Sequence, residues 1–303
     1  MGPRFDQQVP PGGYLWWYLD GLSDCGRFGV SVIAFVGSVF SPYYYWAGRR
    51  DPEDHVAFNV ALYGPGVGRW SMTERGRPSL WRDATHFAVG ASHMRWEGDV
   101  LTLQINERAV PHLGRIQGTI RLVPQQLTAE AHDLAPAHHW HPHAPTAHIS
   151  LDFDRPDLSW QGHGYLDQNW GEEPIEDGFR RWDWLRVEGD PGAVLYAGTR
   201  ADGSPFGLAL RFPGDGRAEP MEVPPTQALD RGFWRVARSI PAESGATPCV
   251  LKRFEDSPFY LRAHVETQIE GRQVRAMHES LDLDRFRTRV VKLMLPFRMP
   301  RRR

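Results

Sequence analysis

Short runs of aromatic and β-branched residues alternate with turn signals along most of this 303-residue chain. Runs of this kind, bounded by Gly, Pro, Asn and Asp, are typical of β-strands. Glycine (30) and proline (25) are spread throughout and disfavour long helices. The pattern predicts strands over residues 14–19, 29–40, 58–63, 68–73, 87–96, 100–105, 118–123, 148–153, 182–187, 194–200, 207–212, 232–239, 249–254, 260–269 and 273–283.

Turns between these strands suggest how the chain is divided. Glu97-Gly98-Asp99, Ala201-Asp202-Gly203 and Glu270-Gly271-Arg272 each join two predicted strands and are typical of hairpin turns. The acidic, glycine-containing stretch 171–179 is the best break between two halves. Two barrel-like or sandwich-like domains fit this many strands better than one very large sheet. The sequence therefore predicts an all-β fold with domains over residues 1–175 and 176–303.

The C-terminal segment, residues 285–303, departs from the strand pattern. It mixes apolar residues with Arg287, Arg289, Lys292, Arg298 and three terminal arginines, and it has no acidic residue. A short helix ending near Pro296, followed by a basic tail, is predicted here. One interpretation is that the helix and tail rest on an anionic membrane surface. The alternative is a helix docked on its own barrel with a solvated tail.

Composition excludes several classes of function. The formal net charge of −2 gives no general attraction to nucleic acid. Cys25 and Cys249 are far apart and form neither a disulfide framework nor a zinc pattern, which favours a reducing compartment. No run approaches the roughly 20 apolar residues that span a bilayer, and residues 1–13 lack the apolar core of a signal peptide. We expect a protein of the cytoplasmic side, soluble or peripherally membrane-associated.

The strongest candidate for chemistry lies between residues 163 and 170. Side chains alternate along a strand, so Tyr165 and Asp167 point to the same face. Trp160, Leu166 and Trp170 beside them are typical of an apolar pocket. Burial there is predicted to raise the pKa of Asp167 and to leave a neutral carboxylic acid near pH 7. Such an acid can protonate a weak base such as a carbon–carbon double bond.

Histidines upstream add to this set and raise the question of a metal. His138 and Trp140 are two residues apart and share a face if the segment is extended, with His139 and His141 on the other face. A proton donor, a phenol, an imidazole and an indole facing one cavity suggest acid catalysis through a cation. The prolines of this segment favour a loop, and no carboxylate at matching spacing completes a ligand set, so no metal is predicted. The prolines are Pro136, Pro142 and Pro145, and the further histidines are His143 and His148.

Several long, ordered strings resemble the carotenoid 1,2-hydratases, also called hydroxyneurosporene synthases. The resemblance covers nearly the whole length, and the strings lie at residues 14–20, 33–44, 59–64, 72–77, 162–171, 182–184 and 295–300. It implies two lipocalin-like β domains. It also implies cofactor-independent addition of water to the terminal C1=C2 double bond of an acyclic carotenoid such as neurosporene or lycopene.

The resemblance maps the acid site onto four residues of this chain. Asp167 is expected to be the general acid, with Tyr165 hydrogen-bonded to it. Trp140 is expected to stabilise the carbocation with its π face, and His138 to position or deprotonate the attacking water. Three further acidic residues lie beside aromatics, Asp20, Glu74 and Asp183. One interpretation is that they shape the site, and the favoured alternative is that they form salt bridges with arginines.

Two other functions stay open from the sequence. A non-catalytic, lipocalin-like carrier of an isoprenoid explains the aromatic residues but not a paired Tyr and Asp. A polyene cyclase or isomerase on the same fold uses the acid without adding water. The carrier keeps its ligand unchanged, whereas the cyclase or isomerase gives a product of unchanged mass.

Overall fold

The computed structural model describes residues 2–111, 114–189 and 191–302. It contains two compact units. Unit 1 comprises Met1–Asp133, Ala137–Ile175 and Leu293–Arg303, and unit 2 comprises Leu134–Pro136 and Glu176–Lys292. Most residues of both units lie in strands, which confirms the predicted all-β class.

Unit 1 is built on one large sheet. Its strands are β1 (Tyr14–Ser23), β2 (Gly29–Val36), β3 (Val56–Tyr63), β4 (Arg69–Met72), β5 (Glu74–Arg75), β6 (Leu80–Arg82), β7 (His86–Val89), β8 (Ser92–Glu97), β9 (Val100–Arg108), β10 (Arg115–Pro124), β11 (His132–Ala135), β12 (His138–Arg155), β13 (Asp157–Gly171) and, after unit 2, β23 (Arg301–Arg302). Within the described residues these fourteen strands are ordered β23-β5-β3-β2-β1-β13-β12-β10-β9-β8-β7-β6, with β4 beside β3 and β11 beside β12.

The two faces of β1 have different partners. Leu15, Trp17 and Leu19 belong to the main apolar core of unit 1, together with Val32 of β2 and Phe58 of β3. The alternate residues of β1 point to the opposite face of the sheet. All ten residues of β1 are buried, and so are all eight of β3. Hydrophobic burial on one face thus fixes the register, which leaves the other face to carry polar and aromatic groups.

Unit 2 contains a smaller antiparallel sheet and a two-stranded ribbon. The sheet runs β17-β16-β15-β14-β22-β21-β20, and Leu185, Leu195 and Ile240 lie in its apolar core. The strands are β14 (Phe179–Val187), β15 (Gly192–Arg200), β16 (Pro205–Phe212), β17 (Glu219–Pro220), β18 (Thr226–Ala228), β19 (Ser239–Pro241), β20 (Cys249–Asp256), β21 (Tyr260–Ile269) and β22 (Arg272–Asp282), with β18 and β19 forming the ribbon.

Helices in the described part of the chain are short. They are α1 (Pro42–Trp46), α2 (Ile175–Gly178), α3 (Leu283–Phe286) and α4 (Arg289–Met294), with 3-10 turns at Pro52–Asp54, Arg77–Ser79 and Leu295–Phe297. The predicted short C-terminal helix is therefore confirmed. No helix in the described ranges has both the length and the apolar character needed to cross a bilayer.

Three predicted strands differ in the structure. The strand predicted over 29–40 ends at Val36, because Gly37 turns the chain with φ of 63° and Ser41 then caps α1. Residues 87–96 form two strands, β7 and β8, rather than one. Residues 232–238 are not a strand, because the Asp256 carboxylate accepts the backbone N–H of Phe233 (2.5 Å) and Trp234 (3.4 Å).

The histidine segment is extended, so the loop prediction for it is wrong. β12 runs without interruption from His138 to Arg155. The pairing of β12 with β13 shifts register between His141 and Ala144 and again between Ala144 and Ala147. Pro142 and Pro145 lie in these two irregular intervals, where the missing N–H of proline costs no ladder hydrogen bond.

The C-terminal tail belongs to unit 1, unlike the predicted domain 176–303. Arg301–Arg302 pair in parallel with β5, and Arg301 contacts the carboxylates of Glu74 and Asp54. Lys292, which was predicted to be part of the basic surface, is 2% exposed and lies 3.6 Å from Glu176. Two cationic side chains of this segment, Arg301 and Lys292, thus lie beside carboxylates of the protein itself.

Candidate active site

The pairing of three strands assembles the predicted acid site on one face of the sheet of unit 1. Strand β13 lies between β1 and β12. Asp167 faces Tyr18 of β1 directly, whereas Asn169 faces Trp140 of β12. Directly paired residues point to the same side of an antiparallel sheet, so these side chains meet on the face opposite the apolar core.

Asp167 accepts hydrogen bonds from the side chains of Trp140, Tyr165 and Asn169. Its Oδ2 accepts from the Trp140 indole (Nε1, 2.9 Å) and from the Tyr165 hydroxyl (2.8 Å). Its Oδ1 lies 3.3 Å from the amide nitrogen of Asn169. Asp167 is 2% exposed, and Trp140 and Tyr165 are fully buried. The structure therefore joins three of the four predicted residues and adds Asn169, which the sequence analysis missed.

The two oxygens of Asp167 differ in what they can do. An indole N–H can only donate, and the Tyr165 hydroxyl also donates, so Oδ2 is an acceptor in this arrangement. A neutral Asp167 must therefore carry its proton on Oδ1. The two donors on Oδ2 stabilise negative charge on this carboxyl group.

His138 lies on the same face but has partners other than Asp167. Its Nδ1 is 2.9 Å from the Tyr14 hydroxyl, and its Nε2 is 3.2 Å from Glu173, whose side chain is 46% exposed. A Cβ on Gly171 would lie 2.9 Å from His138 Nδ1 and 2.5 Å from the Tyr14 ring. Gly171 thus leaves the space that the Tyr14–His138 hydrogen bond needs.

Asp20 is a second carboxylate on this face. Asp20 is fully buried, and its Oδ2 accepts from the Tyr18 hydroxyl at 3.0 Å. The rings of Tyr18 and Tyr165 meet edge to face, with centroids 6.1 Å apart. The sequence contains one sign of this relation between Asp20 and Asp167, since the tripeptide Tyr-Leu-Asp occurs both at 18–20 and at 165–167.

Comparison with known proteins identifies the family. The family model described as "Carotenoid hydratase CrtC" matches residues 32–303. The chain belongs to the carotenoid hydratase family. An acyclic carotenoid 1,2-hydratase from Thiocapsa roseopersicina is 49% identical over 307 residues, which cover 99% of this chain and 76% of that protein. A protein of the same name from Cereibacter sphaeroides is 42% identical over 275 residues, covering 89% of this chain and 98% of the relative.

Membership in the carotenoid hydratase family confirms the resemblance and the prediction of an enzyme of the hydro-lyase class. Solved structures support the fold separately. An AttH candidate from Nitrosomonas europaea aligns with a TM-score of 0.61 at 16% identity, covering 93% of this chain and 99% of that one. Kievitone hydratase from Nectria haematococca aligns with a TM-score of 0.56 at 10% identity, covering 94% of this chain and 99% of that one. The predicted lipocalin-like β architecture is confirmed by these likenesses.

The other acidic candidates lie elsewhere. Glu74 contacts Arg301 and lies 2.8 Å from His55 Nδ1, which agrees with the expected salt bridge. Asp183, in unit 2, accepts from the hydroxyls of Ser239 (2.6 Å) and Ser280 (2.5 Å). Burial raises the pKa of Asp183. These contacts give both residues structural roles.

The remaining histidines of the described ranges lie apart from any metal-binding group. Among the described residues, no cluster of three or more His, Cys, Asp or Glu side chains has the geometry to hold a metal ion. The rings of His141 and His143 are tilted by 38° with centroids 3.9 Å apart, and His143 Nε2 is 2.9 Å from Gln168 Oε1. Burial lowers the pKa of His143 to about 3. His143 is therefore a neutral, buried imidazole at physiological pH.

Proposed function

We propose that this protein adds water to the terminal C1=C2 double bond of an acyclic carotenoid, such as neurosporene or lycopene, and forms a 1-hydroxy carotenoid. Family membership supports the carotenoid substrate. The observation that carries the proposal is the buried Asp167 carboxyl group, fixed by Trp140 and Tyr165 on an aromatic sheet face. A buried and oriented acid is what protonation of an unactivated alkene requires.

The proposed reaction has two steps. Asp167 gives its Oδ1 proton to C2 of the alkene, which places the positive charge on the tertiary carbon C1. The oxygen of water then bonds to C1, and the tertiary alcohol forms when this oxygen loses one proton to a base. The hydrogen bonds from Trp140 and Tyr165 favour the first step because they stabilise the Asp167 carboxylate as it develops. No added cofactor takes part in this scheme.

The surrounding aromatic residues suit a carbocation. Tyr14 and Trp16 stack with centroids 4.9 Å apart, and Trp16 meets Phe35 edge to face at 6.2 Å. Aromatic π faces attract a cation by about 2 kcal/mol when water is excluded. We propose that Trp140 contributes in the same way beside its hydrogen bond. His138, held by Tyr14 and Glu173, is proposed to position the attacking water.

The test of the function is the mass of the product. Purified protein is incubated with lycopene in detergent or liposomes, in heavy-oxygen water and without added cofactor. We expect a carotenoid that is heavier by one labelled water molecule. Bound but unchanged lycopene would instead indicate a carrier, and an isomer of unchanged mass would indicate a cyclase or isomerase.

We also propose that the protein contacts the membrane that holds its substrate, through an apolar C-terminal surface rather than through the basic tail alone. Leu293 and Phe297 are 64% and 81% exposed. Arg298 and Arg302, which follow in sequence, are exposed cations. Exposed apolar side chains flanked by cations favour binding at an anionic lipid interface.

Replacing Leu293 and Phe297 together by serine is expected to weaken binding to anionic liposomes about tenfold or more, since two large apolar side chains are lost from the contact. Liposome co-sedimentation measures this. Phe233→Ser is the matched control, because Phe233 is equally exposed (83%) but lies in unit 2. Equal binding of the double variant and the wild type would contradict the proposal.

A further inference from the structure

Two identical tripeptides form a matched pair of carboxylate–phenol units on the face of the candidate site. In the pairing of β1 with β13, Tyr18 faces Asp167 and Asp20 faces Tyr165. Within each strand the tyrosine donates to the Oδ2 of the aspartate two residues later, at 3.0 Å in β1 and 2.8 Å in β13. Both carboxylates are at most 2% exposed. The local two-fold symmetry of the antiparallel pair thus places a second buried carboxylate beside the proposed acid.

Hydration requires one group that gives a proton and another that takes one. The Oδ2 of Asp167 already accepts two hydrogen bonds, so Oδ1 is the oxygen of this carboxyl group that exchanges a proton with the substrate. A separate base lets the attacking water lose its proton without competing for that oxygen. Both ring nitrogens of His138 lie within hydrogen-bond distance of Tyr14 or Glu173. Asp20 lies on the same face, two residue pairs along the β1–β13 ladder from Asp167.

We propose that Asp20 is the catalytic base of the hydration, and that Tyr18 is its positioning residue. This inference rests on the proposed function. The Oδ1–H bond of Asp167 breaks and a C2–H bond forms. The oxygen of water then bonds to C1, and the proton that this water loses goes to the Asp20 carboxylate. Asp20 later releases that proton to solvent, and Asp167 takes up another, so each turnover consumes one water and no net proton.

The scheme predicts that removing Asp20 and removing Asp167 have different effects on hydration and on hydrogen exchange of the substrate. Without Asp20, Asp167 still protonates the alkene, but the cation returns a proton to Asp167 instead of capturing water. In deuterated water this reversal replaces hydrogens of the terminal unit by deuterium, but no water is added to the carotenoid. Without Asp167, no cation forms, so neither exchange nor hydration occurs.

The experiment compares Asp20→Asn, Asp167→Asn and wild type with lycopene in deuterated water, by mass spectrometry of recovered substrate and product. For Asp20→Asn we expect hydration to fall about 100-fold or more while deuterium exchange into lycopene persists. Hydration within threefold of wild type would overturn the assignment, and so would loss of exchange together with hydration. A wild type that gives no hydrated product would instead refute the proposed function itself.

Two further variants keep the test decisive. Tyr18→Phe retains the carboxylate, and it answers the question even where Asp20→Asn does not fold. It should lower hydration about tenfold with less effect on exchange, since a hydrogen bond to a charged group contributes about 1.5–3 kcal/mol. An equal fall of hydration and deuterium exchange in Tyr18→Phe would count against a positioning role for Tyr18. If His138→Gln uncouples exchange from hydration and Asp20→Asn does not, the base is His138 and the inference is wrong.

Discussion

Asp167→Asn should abolish hydration while the protein stays folded. General acid catalysis contributes about 10²–10⁴-fold to a rate, and an amide cannot supply the proton. The amide has nearly the shape of the carboxyl group, and its oxygen can still accept from Trp140 and Tyr165. We therefore expect a loss of about 10³-fold in the formation of labelled 1-hydroxy carotenoid, with a thermal unfolding midpoint close to that of wild type.

The same strand supplies the control for this substitution. Asp157→Asn makes the same chemical change at an exposed position of β13 and should leave hydration unchanged. Tyr165→Phe keeps the acid but removes one donor from Oδ2, so its loss should be smaller, about 10–100-fold. Asp167→Asn with more than a tenth of wild-type activity would show that another group is the acid.

Acidification from pH 7 to pH 5 should destabilise both units through two buried histidines. Burial lowers the pKa of His143 in unit 1 and of His278 in unit 2 to about 3, from an ordinary value of about 6.5. Between these values the unfolded chain binds protons that the folded protein does not. Each histidine should therefore lower the free energy of unfolding by about 2 kcal/mol over this range.

Neighbouring groups make the effect unequal between the units. Burial also lowers the pKa of His141 and His132 in unit 1, which adds to the loss in acid. The raised pKa of Asp183 in unit 2 has the opposite sign, because its contribution to stability is larger at low pH and declines as the pH rises through that pKa. Unit 1 should thus lose more stability than unit 2.

Urea unfolding at pH 7 and pH 5, followed by tryptophan fluorescence and by hydrogen exchange of each unit, measures this prediction. His143→Gln should flatten the pH dependence of unit 1, whatever its effect on stability at pH 7. The exposed His93, replaced in the same way, should leave the slope unchanged. A protein equally stable at both pH values would mean that these imidazoles are not buried in the neutral form.

Features that depend on the local residue pattern were predictable from the sequence, whereas contacts that depend on how two strands are aligned were not. Alternation along one strand was enough to place Tyr165 and Asp167 on the same face. The Trp140–Asp167 hydrogen bond depends on how β12 pairs with β13, and two register shifts set that pairing. Pro142 and Pro145, which led to the loop prediction, lie at those register shifts. Proline is tolerated in a strand at such irregular positions.

Longer-range contacts explain the other misses. The place of Asp20 near Asp167 was not predictable, because only the β1–β13 pairing shows that its Tyr-Leu-Asp segment lies beside an identical one. Residues 232–238 have strand-like composition, but a carboxylate 20 or more positions away takes their N–H groups. The basic tail pairs with β5 through a contact between residues more than 200 positions apart. No local pattern contains such information.

The complete burial of β1 restricts how this family can change its substrate range. Every residue from Tyr14 to Ser23 is buried, so one set of side chains packs the core and the other set faces the candidate site. A substitution in this strand therefore changes either the packing of the core or the lining of the candidate site. Directed evolution for other polyenes should therefore leave β1 and β13 intact and draw its diversity from the connecting turns.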